Sequence, residues 1–261
     1  MSDMYTDPYQ PEGYSPADTL MKPSGQMEYM RSIHYIFENP NWLQNILFTA
    51  LCAFIPLIGP LVNYGYQFEI IETLHLRRGA SYPDFDFNRF VDYLVRGLWV
   101  FLVAFVLGLA TSAISFGVAV LVAVLVGGAG VAGGEEGVTI GMLIAMPLLI
   151  IGSLVFSILV QMFVVPCILR AGLTQDFGAA FDFGFAKQFV SNTWPQMIVT
   201  GLFSAATAIV LLMLGLAMMC VGIIFTMPIV VLLQAHLGFQ LYEFHLARGG
   251  DHIPIQPRKS F

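Results

Sequence analysis

The chain has 261 residues, 57% of them apolar and only 11% charged, with a net charge of −6. Soluble globular chains carry about 25% charged residues, so a water-facing domain of this size is excluded. The few cations form no stripe interleaved with aromatics, which excludes a nucleic-acid partner.

Residues 1–25 hold four prolines, four acidic residues and three tyrosines without an apolar period, and predict a disordered tail. Nothing in them resembles a basic stretch leading into an apolar one, so no cleavable signal is expected. Residues 26–39 place Met27, Met30, Ile33 and Phe37 on one stripe and predict a short amphipathic helix on the membrane surface. It stops at Asn39-Pro40, since proline disfavours helix in the residue before it.

Charge is absent from Pro40–Phe68, Leu98–Gly134, Gly137–Leu169 and Gln188–Tyr242. A helix needs about 20 residues to cross about 30 Å of hydrocarbon, and the last interval is long enough for two crossings, with a turn at Leu214–Gly222. The runs are continuously apolar and do not alternate, so a membrane β-barrel is excluded. The fold expected is all-α: a polytopic transmembrane bundle of about five spans, near 43–68, 94–126, 140–169, 194–215 and 221–244. Asn41 suits the N-cap of the first span. That span is interrupted at Pro56–Pro60 and is either one broken crossing or a re-entrant hairpin. Five spans place the N-terminal arm outside; a hairpin places it inside. The five-span arrangement is the one favoured here. Trp194-Pro195 is expected to open the fourth span, with proline in its first turn. Gly127–Gly137 is expected to be a flexible loop, and 249–261 a polar cytoplasmic tail.

Nine cations, Arg77, Arg78, Arg89, Arg96, Arg170, Lys187, Arg248, Arg258 and Lys259, fall in segments on one face, and the two opposite loops hold none. Lys and Arg stay on the cytoplasmic side, which predicts a multi-pass cell-membrane protein with a cytoplasmic C-terminus. Two segments on that face read alike: HLRRGASYPDFDFNRFVDYLVRGLW (75–99) and ILRAGLTQDFGAAFDFGFAKQFVSNTW (168–194). In each, glycine after Leu-Arg suits a helix C-cap, and Asp86 and Asp182 face water or cap the next helix. Residues 84–95 place Phe87, Phe90 and Leu94 on one face of a lead-in helix lying along the membrane. Either the segments repeat one helical hairpin about an axis along the membrane normal, or inside loops simply tend to look like this.

Residues 55–103, IPLIGPLVNYGYQFEIIETLHLRRGASYPDFDFNRFVDYLVRGLWVFLV, resemble the bacterial and archaeal membrane family named domain of unknown function 4013. The resemblance lies in the break at Ile55–Pro60, the pair Gly65-Tyr66, the helix ending at Gly79, and the loop Tyr82–Asp86, where Phe85 stands in place of a common tryptophan. AFDFGF and LGFQLYEFHLARGG continue it through about residues 40–248. The resemblance implies a helical membrane architecture and no defined chemistry.

Polar groups at membrane depth are the candidates for function. His236, Gln240 and Glu243 follow one another on the last span and could line a cavity or relay protons; they could equally be interhelical hydrogen-bonding residues. Asp84 and Asp86 could meet a hard cation, but too few ligands accompany them for a calcium loop. Glu69 and Glu72 near His75 lack the zinc-protease spacing, and no P-loop or nucleophile-elbow motif is present. Cys52, Cys167 and Cys220 fall in apolar runs without metal spacing and are read as buried free thiols. Ala104, Gly108 and Ser112, and Gly201 with Ala205, suit close helix packing. No cofactor, metal or catalytic group is expected; the partners expected are membrane lipids and other helices, including those of a second copy. The reading favoured is a non-catalytic protein that organises the bilayer or an assembly, supported by the absence of charge pairs from the spans. A small permease with its site at the broken span and the His236–Gln240 face is the alternative, and an intramembrane enzyme has the least support.

Overall fold

The computed structural model describes residues 25–77, 81–218 and 221–256. The expected disordered tail, except Gly25, and the capping glycine Gly79 lie outside the described residues. Six helices follow in order: α1 (Arg31–Glu38), α2 (Trp42–Ala53), α3 (Ile58–Leu76), α4 (Phe90–Thr174), α5 (Phe183–Ala217) and α6 (Val221–Ala247). No strand occurs among the described residues. This is an all-α polytopic bundle.

Four helical stretches have the length and hydropathy to cross a membrane: Phe87–Gly128, Val131–Thr174, Phe183–Ala217 and Gly222–Ala247. The first two are the limbs of α4, which turns at Gly134, where φ is +61° and ψ −145°. That left-handed backbone favours glycine, so the glycine-rich segment expected to be a loop is a helical bend. At 1.5 Å per residue the 42 residues of the first limb reach about 63 Å, twice the hydrocarbon thickness. The end carrying Arg89, Asp92 and Arg96 therefore stands outside the hydrocarbon. The most apolar window of each limb is 0% buried, as a lipid-facing surface must be. The residues expected to form a separate lead-in helix instead run from a 3-10 turn, Phe87–Arg89, straight into α4.

The first expected span is two helices. α2 ends at Ala53 and α3 begins at Ile58, with Leu57 at φ +67°, a conformation uncommon outside glycine. A β-carbon at Gly59 would overlap the Cys52 carbonyl, so the helices fold back against each other at backbone contact. Both ends of the pair meet one loop: Asn39 and Asn45 at the start of α2 bond residues 82–85, and Tyr66 of α3 donates to the Pro83 carbonyl at 2.8 Å. The segment is a hairpin rather than a single broken crossing. α5 begins at Phe183, eleven residues before Trp194-Pro195, because the Asp182 carboxylate accepts from the Phe185 amide at 3.0 Å and caps it there.

The core lies at the charged end of the bundle, where α3, α6, the ends of α4 and the start of α5 meet. Tyr66, Phe68, Ile70, Ile71, Leu173, Phe189, Leu232, Leu233 and Tyr242 are buried there. Gly65 and Gly97 set the α3–α4 crossing: a β-carbon on Gly65 would overlap the Tyr93 carbonyl, and one on Gly97 the Leu61 carbonyl. Gly172, expected as a C-cap, is interior to α4 and packs on the Phe68 ring; Gln175, at φ +52°, terminates the helix instead. Residues 250–256 dock on the core, with the Ile253 amide donating to the Tyr242 hydroxyl at 2.9 Å and Ile253 buried. Cys52 and Cys167 are buried and free. Among the described residues, Gly108 and Gly201, expected to pack against other helices, meet no other helix within 4 Å of a built β-carbon.

Candidate functional site

The polar line expected on α6 divides. Gln240 and His236 turn toward the N-terminal arm, and Glu243 turns toward α3. The Gln240 side-chain amide takes the Glu28 backbone at both ends: its Oε1 accepts from the Glu28 amide at 2.6 Å and its Nε2 donates to the Glu28 carbonyl at 3.0 Å. The same Nε2 approaches Ser32 Oγ at 3.0 Å and His236 Nδ1 at 2.8 Å, and Ser32 Oγ lies 2.9 Å from Nδ1. An amide NH2 only donates, so Nδ1 accepts and the ring proton sits on Nε2. Tyr35 stacks on the imidazole at 4.3 Å and donates to the Leu232 carbonyl. His236 is thus covered by α1, with Leu232, Leu233, Ala235 and Leu237 buried around it.

The face of α1 turned to α6 carries Ser32, Tyr35 and Ile36, which are buried; of the apolar stripe, Met27 and Ile33 pack partly buried on the core, and Met30 and Phe37 are exposed. The partners of His236 come from α1 and α6, not from the break at 54–57.

Glu243 lies 2.5 Å from His75 Nδ1. His75, Glu72 and Glu69 recur every three residues along α3, and both glutamates are buried. Arg89 pairs with Glu69 and Arg96 with Glu72, tying α3 to the first limb of α4. Of these four residues only Arg96 lies within an expected span (94–126), so neither pair has both partners in the expected spans. Glutamates three apart facing arginines seven apart were the signal available in the sequence. Burying a charge is costly unless it is paired and hydrogen-bonded, and here the pairs lie in the part of α3 and α4 that projects beyond the hydrocarbon.

The three aspartates have structural partners. Asp84 accepts from Asn45 and Asn39 at 3.0 Å each and from Asn41 at 2.8 Å. Burial pushes its carboxyl up, but the three amide donors outweigh that and hold it below the ordinary value of 3.8. Asn41, expected as an N-cap, makes no capping bond; its side-chain NH2 donates to Asp84. Burial pushes the neighbouring Tyr82 hydroxyl up to about 12, and it donates to the Ile36 carbonyl at 2.9 Å. Asp86 caps the 3-10 turn through the Asn88 amide at 2.9 Å. Asp182 caps α5 and meets Arg170 at 3.1 Å, whose Nε donates to the Ala179 carbonyl. Both similar segments therefore use an aspartate to start the outgoing helix, although the 3-10 turn follows the cap in the first and precedes it in the second.

Among the described residues no cluster of three or more His, Cys, Asp or Glu could hold a metal ion. Four buried side-chain atoms lack a partner: Asn63 Oδ1, Gln196 Oε1, Thr200 Oγ1 and His245 Nε2. A cavity of about 370 Å³ opens between the limbs of α4, lined by Val118, Val122, Leu125, Ile144 and Leu148 among others, with no wall from α1 or α6. Its lining is apolar and holds no group able to act as an acid, base or ligand.

The family motif has a place in this geometry. Gly65 and Tyr66 and the loop Tyr82–Asp86 converge at the base of the α2–α3 hairpin, where Tyr66, Phe85 and Tyr93 pack edge to edge or tilted within 5.7 Å. No curated protein and no solved structure matches the chain. One family profile, described as "protein of unknown function (DUF4013)", matches residues 48–220, from within α2 to beyond the end of α5. The chain is a membrane protein belonging to that family.

Proposed function

We propose that this protein is a non-catalytic, multi-pass component of the cell membrane that organises the bilayer or an assembly partner, with its arginine-bearing end and C-terminus in the cytoplasm. The observation that carries the reading is the closure of the polar face of α6 by the chain's own N-terminal arm. Gln240 is spent on the Glu28 backbone, and His236 is stacked under Tyr35 and bonded by Ser32. A conducting site needs its polar groups open to water or cargo; these are saturated within the chain. The apolar outer faces of both α4 limbs remain for lipid or a neighbouring helix. The cytoplasmic assignment rests on the gathering of lysine and arginine at one end.

Reconstitution into sealed vesicles tests this reading. Proton and monovalent-cation flux across them is expected to equal that of empty vesicles, for the wild type and for His236→Ala alike. Flux in the wild type that is lost in His236→Ala would overturn it in favour of transport.

A further inference from the structure

The geometry points to the α2–α3 hairpin as a single-leaflet wedge: its tip, residues 54–58, ends inside the bilayer and its exposed face takes the acyl chains of the leaflet next to the arginine-bearing end. The inference deepens the bilayer-organising reading and rests on it. α2 has 12 residues, about 18 Å at 1.5 Å per residue, well short of the hydrocarbon thickness. Its two faces differ in kind. Asn45, Ile46, Thr49 and Cys52 are buried against the bundle, while Leu43, Leu47, Leu51 and Phe54 form an exposed line that continues into Ile55 and Leu57 at the tip. Phe54 is 63% exposed and Leu57 75%. A contiguous apolar surface of this kind marks an interaction site.

Polarity is graded along the hairpin. Its base is the Asp84 clasp of three asparagines, where the Asn41–Asp84 bond is exposed, and this is chemistry suited to water. At the tip most of the backbone amides are satisfied internally. The amide of Phe54 donates to Leu51, Ile55 to Cys52, Ile58 to Pro56 and Gly59 to Ile55, and Pro56 has no amide hydrogen to leave unpaired. Backbone polar groups in lipid must be bonded within the protein, and these bonds meet most of that demand, which suits a tip held short of the bilayer centre. The hairpin is also fixed through α3 to the first limb of α4 by the Gly65–Tyr93 and Gly97–Leu61 backbone contacts. A wedge in one leaflet adds cross-section there and none in the other, which gives the bilayer-organising reading a physical mechanism.

The test is sided maleimide labelling of the full chain in sealed vesicles of phosphatidylcholine and phosphatidylglycerol, in a background without the three native cysteines. Ser81→Cys, exposed beside the base, marks the arginine-bearing side, and Glu136→Cys, at the α4 bend, marks the other. Leu57→Cys is expected to be silent from both sides and to react only after detergent. Labelling from the Glu136 side would mean a full crossing, and labelling from the Ser81 side a hairpin in water; either overturns the wedge. A diazirine-bearing acyl chain in the same vesicles probes the wild type without substitution: adducts on residues 54–58 are expected, and their absence with adducts on α4 present would overturn it. Flux in the earlier assay would sink the non-transport reading without altering this labelling pattern, so the two failures are distinguishable.

Discussion

Gly25 lies against Ala247: a β-carbon built on Gly25 would stand 3.9 Å from the Ala247 Cβ. The first described residue of the N-terminal arm and the last residue of α6 therefore share one end of the bundle. Four crossings and a hairpin that turns back return the chain to the end from which it started. Five crossings would put these two residues on opposite sides, so the contact supports the hairpin alternative at the Pro56–Pro60 break.

The Gln240–Glu28 amide pair holds the arm in place. Gln240→Leu keeps the volume and removes both bonds, leaving the Glu28 amide and carbonyl without their partner. Glu28 is exposed, so water takes up part of the loss and the cost stays below the about 1–3 kcal/mol of a fully buried unpaired group. Faster proteolysis or amide exchange across residues 25–36 is expected, with α6 itself unchanged; protection equal to the wild type would show that the arm is held by something else.

The crossing of α3 and α4 is expected to tolerate no side chain at its two glycines. At Gly65 and at Gly97 the atoms a methyl group would overlap are backbone carbonyls, which cannot rotate away. Overpacking a tight core costs about 1–3 kcal/mol even where side chains can move, so Gly65→Ala and Gly97→Ala each lower the melting temperature in detergent by at least that equivalent. Gly108→Ala and Gly201→Ala, which meet open space, serve as neutral controls.

The Asp84 clasp gives the hairpin base an acid sensitivity of known sign. The folded carboxyl is held below 3.8. Its contribution is therefore fully present above the unfolded value and is lost as pH falls through the lower folded value. Asp84 is exposed, so that contribution is below about 1 kcal/mol. A variant keeping only Trp42 reports on the start of α2: its emission is expected to shift below pH 3.8, and Asp84→Asn to abolish the shift.

Arg96 and Glu72 form a buried pair between α4 and α3. Removing one partner of such a pair costs about 3–5 kcal/mol, whereas replacing both with neutral groups is often tolerated. Chemical denaturation is expected to find Arg96→Met strongly destabilised and Glu72→Gln with Arg96→Met substantially recovered. A double variant destabilised by the sum of Arg96→Met and Glu72→Gln measured singly would show that the pair contributes no coupling.

Composition made the membrane architecture legible, because continuous apolar runs of this length have one stable backbone solution in lipid. Asp86 and Asp182 were legible as caps because capping is local. The N-terminus of α5 was harder to place, since Trp194-Pro195 imitates a helix start that the Asp182 cap, twelve residues earlier, had already supplied. What eluded the sequence was pairing between distant segments. Nothing around residue 30 announces that Ser32 and Tyr35, rather than the more apolar Met30 and Phe37, face inward; that follows from the bonds His236, Gln240 and the Leu232 carbonyl offer. Glu69 and Arg89 read as loop-side charges until α3 and α4 are seen to cross at two glycines. Asp84 suggested a cation site, but the three asparagines that occupy it stand about forty residues away in the chain.

The shared position of the two ends of the chain is tested most directly by joining Gly25→Cys to Ala247→Cys in a background without native cysteines. Their separation falls within the Cβ–Cβ range of about 3.5–4.5 Å that a disulfide requires. Mild oxidation in intact membranes is expected to give a monomeric cross-linked chain, with either single variant unaffected. If no intramolecular link forms and the two positions react with an impermeant maleimide from opposite sides, the chain crosses an odd number of times and the hairpin architecture is contradicted.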